Sequence, residues 1–593
     1  MSEEKSLNAS LGTEKIIWNL ADIYSGLDDP SLAADMSWCA EEAEKVHTEY
    51  YGQVASLDAE RLLNLLLRLE KIDSTLTRLG TFSFLNFTTQ LENAEAGGLD
   101  QKIHELAAGC GTETIFFQLE WNNIEEREAE KLLQNPLLSD YQHYLSSMRR
   151  YLPHQLTEKE EQLLLEKEVV GRNSWNTLFD KIFGTLKFGS GKRTEEEVLT
   201  DLYHENRDRR KKAADELTAG LKEQSHILTH IFNTLAADKM ITDRLRKYKS
   251  WVSSMNLDNQ LHDQTIEILI EAVTSRYDIV HRYYRVKRNI LDLEELQDYD
   301  RYAPLPSLPG QKISWSSCRE TVISSFSLFS EDLGEIAKKF FDKNWIHAPI
   351  NHGKRGGAFA HPCVPEVHPY VLVNYTGTLR DISTVAHELG HGIHQVLAAE
   401  RGFYNSDTPL PLAETASVFA ELLVFNAQLD LLSDKDEKRA FICQKLESIF
   451  ATVFRQTAMN RFEHLMHTSR RRDGELSTET FNSHWIDTQQ PMFGNSVNLR
   501  EDYAIWWSYI PHFLSTPGYV YSYAFGELLV LALYGLYQQE GQPFVKKYIE
   551  LLSAGGSATP YQLLKPFGIN LDSPAFWQTG LTVIEDMLQR VEE

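Results

Sequence analysis

The pentapeptide His387-Glu388-Leu389-Gly390-His391 places two imidazoles four residues apart, with a carboxylate between them. In a helix both rings project from one face, one turn apart, toward a single position. This spacing predicts that His387 and His391 bind one zinc ion, and that Glu388, on the flank of the same face, is the base for a water molecule on that ion. The chain has 20 histidines, so such a pentapeptide can also arise by chance. The remaining sequence has to decide whether this one binds a metal.

A catalytic zinc has three protein ligands and one open position, so a third ligand is needed. Residue 397 is leucine, which excludes the extended motif that has its third histidine at this place. Glu414, in the segment PLAETASVFAELL, is the predicted third ligand. His394 is predicted to support or pack against the site, because a fourth protein ligand would close the open position.

A ligand imidazole is usually oriented by a hydrogen bond from its other ring nitrogen to a carboxylate or carbonyl group. Two carboxylates are candidates for this role. Glu421 lies two helical turns beyond Glu414, and Asp381 lies before the pentapeptide. The sequence leaves both open.

Apolar residues recur at intervals of three and four from residue 30 to about residue 300, which predicts a mostly helical N-terminal half. A helix is also predicted from about Ile382 to Glu400 and another from about Leu412 to Leu432, with a proline-containing loop that lets the second fold back on the first. Residues 369–375 (PYVLVNY) predict a strand that could pair with an extended substrate. The proline cluster at residues 304–309 predicts a connecting loop.

The composition is typical of a folded protein with more than one domain. The chain has 593 residues, more than one hydrophobic core usually supports, and 42% of them are hydrophobic. The net charge of -26 repels nucleic acids and anionic membranes, so neither is expected as a partner. The longest apolar stretch, Leu528 to Tyr537, is about half of the ~20 residues that a spanning helix needs.

Cysteine usage and the N-terminal residues indicate a reducing compartment. The five cysteines are widely spaced and contain no C-x-x-C pair, so neither a disulfide framework nor a cysteine zinc site is predicted. The first residues, MSEEKSLNASLGTEK, show no apolar segment of a secretory signal. A cytoplasmic protein is therefore expected.

The segment HELGHGIH, followed by PLAETASVFAE, closely resembles the thimet oligopeptidase family of zinc peptidases, and its oligoendopeptidase F branch in particular. Further segments resemble the same branch, so that the resemblance spans nearly the whole chain: WNLADIYSGLDDP near the start, GRNSWNTLFDKIFGTLKF at 171–188, GKRGGAF at 353–359 and IPHFLSTPGYVYSYAFG at 510–526.

The resemblance implies a mainly α fold: a two-lobed helical ellipsoid with a deep substrate channel and a small β-sheet beside the zinc-binding helices. It implies an N-terminal helical lobe of oligoendopeptidase F type at residues 1–200 and a zinc peptidase catalytic region at 201–593. One zinc ion per chain is expected, and the substrates are expected to be short unfolded oligopeptides cut at internal bonds. The oligomeric state is open, and a monomer is one possibility.

The resemblance also implies that His512, Tyr519 and Tyr523 reach over the metal, with Tyr521 as a competitor for the tyrosine role. A phenol or imidazolium there would stabilise the negative charge that develops on the carbonyl oxygen during hydrolysis.

Two other functions stay open at this point. A metallocarboxypeptidase on a similar helical scaffold would need a cation to bind the terminal carboxylate of its substrate, and the sequence does not locate one. A non-catalytic peptide-binding protein would keep the metal for structure alone, although it would have no need of Glu388.

Overall fold

The computed structural model describes residues 3–168, 170–305 and 312–593. The chain divides into two compact units, each made of separated stretches of sequence. The first unit comprises residues 1–152, 310–431 and 536–569, and the second comprises 153–309, 432–535 and 570–593. Of the predicted proline loop, Pro306 and Pro309 lie outside the described residues.

Helices make up most of both units, which confirms the predicted mainly α fold and the helical N-terminal half. The first stretch of the first unit contains α1 (Glu3–Leu11), α2 (Pro30–Tyr50), α3 (Ala59–Thr88), α4 (Ala94–Thr114), α5 (Phe116–Asn123), α6 (Glu126–Leu133) and α7 (Gln142–Arg149). The second unit begins with α8 (Glu158–Glu168), α9 (Arg172–Thr185), α10 (Glu195–Asp201), α11 (Arg207–Glu223), α12 (Ser225–Leu245), α13 (Ser253–Asp258), α14 (Asp263–Thr274) and α15 (Tyr277–Ile290).

The chain then returns to the first unit with α16 (Trp315–Phe329), α17 (Glu331–Asp342), α18 (Leu379–Ala398), α19 (Phe403–Ser406) and α20 (Leu410–Leu431). The later elements are α21 (Lys435–Thr452), α22 (Phe454–Asp473), α23 (Thr478–Phe493), α24 (His512–Ser515), α25 (Tyr521–Glu540), α26 (Gln542–Ser553), α27 (Pro560–Leu564) and α28 (Pro574–Glu592). Short 3-10 helices lie at Val54–Ser56, Pro136–Tyr141, Leu152–His154, Asp300–Tyr302, Ala399–Arg401, Glu501–Tyr509 and Lys565–Phe567.

A three-stranded sheet lies in the first unit, with strand order β1-β3-β2. The strands are β1 (Ile346–His347), β2 (Phe359–His361) and β3 (Tyr370–Leu372). β3 is parallel to β1 and antiparallel to β2. The predicted strand therefore exists as β3, but it is the central strand with a neighbour on each side, so the prediction that it pairs with substrate is wrong. β2 is an edge strand of this sheet.

Each unit has its own hydrophobic core. In the first unit the core joins helices α2 to α5 to the sheet, and it includes Trp121 and the β3 residues Tyr370 and Leu372. In the second unit the core is rich in aromatic rings, such as those of Phe232 and Trp507. Within the described ranges, no helix combines the length and the apolar character needed to cross a membrane.

The helix that carries the pentapeptide, α18, has a defined beginning and end. Thr378 and Asp381 form a capping box, in which each side chain hydrogen-bonds the backbone N–H of the other residue. A 3-10 turn follows α18, and the chain leaves it at Gly402, whose φ of +80° favours glycine. α18 thus holds both histidines on one rigid turn, as predicted.

Gly390 lets α18 and α20 approach closely between the two histidines. A Cβ atom at this position would lie 2.6 Å from the carbonyl oxygen of Ala416 and 2.6 Å from the Cα of Ser417, both backbone atoms of α20. Backbone atoms cannot rotate away as a side chain can. The two helices can therefore pack this closely only because residue 390 has no Cβ atom.

Replacing Gly390 by alanine is therefore expected to force α18 and α20 apart and to lower the free energy of unfolding by about 1–3 kcal/mol. Thermal or denaturant unfolding of the purified variant measures this loss. Gly109→Ala is the control, because Gly109 lies in helix α4 with nothing within 4 Å of an added Cβ. The control should be neutral or slightly stabilising, and an equal effect of the two substitutions would contradict the close approach.

Candidate active site

The structure brings His387, His391 and Glu414 together in the first unit. The Glu414 carboxylate oxygen Oε2 lies 3.5 Å from Nε2 of His387 and 3.7 Å from Nε2 of His391. One ligand atom of each residue lies within 4.8 Å of the other two. Ligands of a tetrahedral zinc ion, at bond lengths near 2.0–2.1 Å, are about 3.3 Å apart. The three side chains therefore fit the donor set and the spacing of a zinc site with an open position.

The groups around these donors hold them in place. Nδ1 of His387 lies 2.6 Å from Oε1 of Glu421, so that the Nε2 of the same ring is turned toward His391 and Glu414. The hydroxyl of Ser417 donates a hydrogen bond of 2.6 Å to Oε2 of Glu414. Glu421 is thus the orienting carboxylate.

The interpretation of Asp381 as the carboxylate that orients a ligand imidazole is wrong. Its Oδ2 accepts hydrogen bonds from the backbone N–H of Thr376 and of Thr378, so the carboxylate caps α18 instead of reaching an imidazole. Capping is a local interaction that satisfies exposed N–H groups at the helix start, and it fixes the side chain away from the histidines.

Replacing Glu421 by glutamine is expected to weaken metal binding by about 10- to 100-fold, because the amide is a weaker acceptor for the His387 ring than a carboxylate. Zinc affinity is measured by competition with a chelator of known affinity. Asp430→Asn is a matched control, since Asp430 is exposed near the end of the same helix. Wild-type affinity in Glu421→Gln would show that this hydrogen bond does not support the metal.

Glu388 lies beside the metal-binding group and is 7% exposed. The backbone N–H of Ala360, in the edge strand β2, lies near this carboxylate and favours its charged form. Burial raises the pKa of Glu388 to about 7. A carboxyl group with a pKa near neutrality can both accept and return a proton at physiological pH, which is the property required of a general base.

The two imidazoles differ in their protonation. Burial lowers the pKa of His391, which leaves the ring neutral at pH 7, as a metal ligand must be. Burial also lowers the pKa of His387, but the hydrogen bond and the negative charge of Glu421 outweigh burial and raise it to about 9. Metal binding is therefore expected to displace a proton from the His387 ring.

A cavity of about 850 Å³ in the first unit adjoins this group. His391 and His394 of α18 lie in its wall, together with Trp345, His368 and Tyr404. His394 is 6% exposed, and its Nε2 lies 3.3 Å from the hydroxyl of Thr408. Burial lowers the pKa of His394 to about 3. In the described part of the chain His394 is outside the metal-binding group, as predicted, and belongs to the cavity wall.

His512, Tyr519 and Tyr523 belong to the second unit, where their rings contact one another. The ring centroids of Tyr519 and Tyr523 are 5.0 Å apart, and those of His512 and Tyr523 are 6.3 Å apart. His512 is exposed, and the two tyrosines are partly exposed. Tyr521 is fully buried instead, and its hydroxyl accepts a hydrogen bond of 2.8 Å from the Asn259 amide. Tyr521 is thus a core residue.

The turn before Tyr519 is held by a buried carboxyl group. The N–H of Gly518 donates a hydrogen bond of 2.6 Å to Glu463 of α22, and Gly518 has a φ of +84°. Burial raises the pKa of Glu463 to about 8.

Sequence reasoning missed three contributors to these sites. Ser417 lies three residues after Glu414 on the same helix, a spacing that could have identified it. Ala360 contributes only a backbone N–H, and Glu463 is distant in sequence from the turn that it supports, so neither leaves a signal in the residue types.

Comparison with known proteins agrees with this geometry. Residues 201–583 match the profile of peptidase family M3, and residues 120–188 match a profile described as oligopeptidase F. The chain is 28% identical to oligopeptidase PepF of Bacillus subtilis, with 100% of this chain and 90% of that protein aligned. It is 25% identical to an oligoendopeptidase F homolog of Lactococcus lactis, with 98% and 97% aligned.

Solved structures show the same fold. A protein of Chlamydophila abortus superposes with a TM-score of 0.86 at 24% identity, covering 97% of this chain and 98% of that one. Oligoendopeptidase-F of Enterococcus faecium superposes with a TM-score of 0.70 at 18% identity, covering 95% and 97%. Because the first profile matches more than half of the sequence, this chain belongs to peptidase family M3.

Proposed function

We propose that this protein is a zinc-dependent endopeptidase that hydrolyses internal bonds of short unfolded oligopeptides. The observation that carries the proposal is the group formed by His387, His391 and Glu414, with the buried carboxyl group of Glu388 beside it. The names of the Bacillus and Lactococcus relatives support oligopeptides as the substrate class.

In this proposal His387, His391 and Glu414 hold one zinc ion. When bound, zinc polarises the scissile carbonyl group and lowers the pKa of a water molecule. Glu388 accepts a proton from the attacking water and delivers it to the nitrogen of the leaving amine. The backbone N–H of Ala360 favours the charged form of Glu388, which is the form that accepts the proton.

His512, Tyr519 and Tyr523 are proposed to donate hydrogen bonds to the carbonyl oxygen as it gains negative charge. Their partial exposure supports this role, since a donor must be reachable by substrate. Tyr521 is unsuited to the role because its hydroxyl is engaged in the core.

The edge strand β2 is the proposed partner for the extended substrate backbone, in place of β3. We retain the division into an N-terminal region at residues 1–200 and a catalytic region at 201–593 as a proposal, because the two profile matches lie on either side of it. A cytoplasmic location is supported by the five cysteines without a C-x-x-C pair.

Cleavage of an internally quenched, end-blocked oligopeptide, with and without a zinc chelator, tests the proposal. Chelator-sensitive internal cleavage that returns on adding zinc is the expected result. Trimming of only those peptides that have a free C-terminus would favour the metallocarboxypeptidase. Binding of zinc and peptide without any cleavage would favour the non-catalytic peptide-binding protein.

A further inference from the structure

A second large cavity, of about 810 Å³, lies entirely in the second unit and includes His512 in its wall. The same wall contains Arg455, near the start of α22, and Tyr509. Burial lowers the pKa of His512, and the positive charge of Arg455 lowers it further. The Arg455 guanidinium therefore lies close enough to the His512 ring to interact with it electrostatically. A residue already proposed to contact substrate thus shares a cavity with a cation.

Among the described residues, Arg455 has no acidic partner. In the part of the chain that the structure describes, its guanidinium makes no hydrogen bond or ion pair with a carboxylate, and the groups that act on it most strongly are the phenols of Tyr302 and Tyr509 and another guanidinium, that of Arg301. The chain carries 85 acidic residues against 59 basic ones, so carboxylates are abundant. Since no carboxylate of the described ranges pairs with the Arg455 guanidinium, this cation is open to an anion from outside the chain.

Arg301 adds a second positive charge behind the first. It is 5% exposed and donates a hydrogen bond of 3.0 Å to the hydroxyl of Tyr503 and another to Tyr302. Among the described residues its Nε has no hydrogen-bond partner. Burial opposes ionisation of Tyr302, but the positive charges of Arg301 and Arg455 lower its pKa. A buried positive charge that has no carboxylate partner among the described residues is costly.

The described carboxylates near the two arginines either hydrogen-bond other residues or form no ion pair with Arg455. Glu447 shares a smaller cavity with Arg301 and Arg455, but its Oε1 accepts hydrogen bonds from Lys287 and from Tyr283. Glu195 lies in the wall of the large cavity, and burial raises its pKa to about 7, so that much of it is uncharged at neutral pH. Asp180 and Glu196 also line the cavity and form no ion pair with Arg455 within the described ranges.

We propose that Arg455, supported by Arg301, forms a subsite that binds a carboxylate group of the oligopeptide substrate. An arginine fork matches the two oxygens of a carboxylate, and the phenols can donate further hydrogen bonds to it. The carboxylate comes either from the C-terminus of the peptide or from an aspartate or glutamate side chain. This inference rests on the proposed peptidase function and adds a specificity determinant to it.

The experiment compares three internally quenched peptides of one sequence: one with a free C-terminal carboxylate, one amidated, and one amidated with a single glutamate near its end. Wild-type enzyme is expected to show a KM for at least one carboxylate-bearing peptide about tenfold below that for the plain amide. Arg455→Gln should raise that KM to the value of the plain amide and leave the KM for the plain amide nearly unchanged. Arg455→Lys should retain part of the preference, because it keeps the charge without the fork.

Arg461→Gln is the matched control, since Arg461 lies on the same helix outside the walls of both cavities. Of the two peptides that carry a carboxylate, the one whose KM responds to Arg455→Gln identifies the source. Equal KM values for all three peptides in the wild-type enzyme would overturn the proposal, even if Arg455→Gln does not fold. An equal loss for charged and amidated peptides in Arg455→Gln would also overturn it. Chelator-sensitive cleavage of the plain amide separates failure of this subsite from failure of the peptidase function.

Discussion

Replacing Glu388 by glutamine is expected to lower kcat for an end-blocked oligopeptide by about 10²- to 10⁴-fold while the zinc content stays at the wild-type level. Glutamine keeps the size and shape of the side chain. The amide cannot take up a proton, so the transfer from water to the leaving nitrogen is lost. Fluorescence of the quenched peptide and metal analysis of the same sample measure the two quantities.

Glu331→Gln serves as the control, because Glu331 is an exposed carboxylate at the start of α17 in the same unit. Its kcat and zinc content should match the wild type. A Glu388→Gln enzyme that retains zinc and most of its kcat would exclude Glu388 as the base and would require another proton acceptor.

The local part of the metal site could be predicted because it depends on helical periodicity alone. His387 and His391 are one turn apart on α18, so their common direction follows as soon as the segment is helical. The capping residues Thr378 and Asp381, three positions apart, are a readable signal for the start of this helix. The predicted bounds, from about Ile382 to Glu400, were close to the observed α18 for this reason.

Interactions between elements were less predictable. Glu421 and Asp381 were equal candidates in the sequence, and only the folding of α20 against α18 separates them, since it brings Glu421 to His387 while Asp381 remains at the cap. The position of β3 at the centre of the sheet depends on β1 and β2, which have two and three residues. Strands that short show no alternating pattern in the sequence.

Contacts made in the folded chain also limited the prediction for the C-terminal segment. Tyr519 precedes α25, whereas Tyr521 and Tyr523 lie in its first turn, and burial alone assigns Tyr521 to the core. That no described carboxylate pairs with Arg455 is equally invisible in the sequence, because ion pairing is a property of the folded chain. The burial and the ion pairing of side chains in the folded chain therefore decide assignments that residue spacing in the sequence leaves open.

Replacing His391 by alanine is expected to abolish zinc binding and turnover together. The substitution removes one of three predicted ligands, so the loss of affinity should exceed the ~10- to 100-fold loss expected for Glu421→Gln. Zinc that binds only the folded wild-type protein stabilises it by ~2.7 kcal/mol at 100 times Kd, which raises its Tm. The Tm of His391→Ala should not respond to added zinc, and this readout is independent of activity.

His394→Asn is the matched control for metal binding, because His394 lies on the same helix outside the metal-binding group. It should keep the zinc-dependent rise in Tm, whatever its own stability. Glu388→Gln should also keep this rise while losing turnover, and His391→Ala should lose both. A metal that served only the structure would not separate the two variants in this way, whereas a catalytic metal with Glu388 as its base must. If His391→Ala kept the wild-type response to zinc, His391 would not be a ligand.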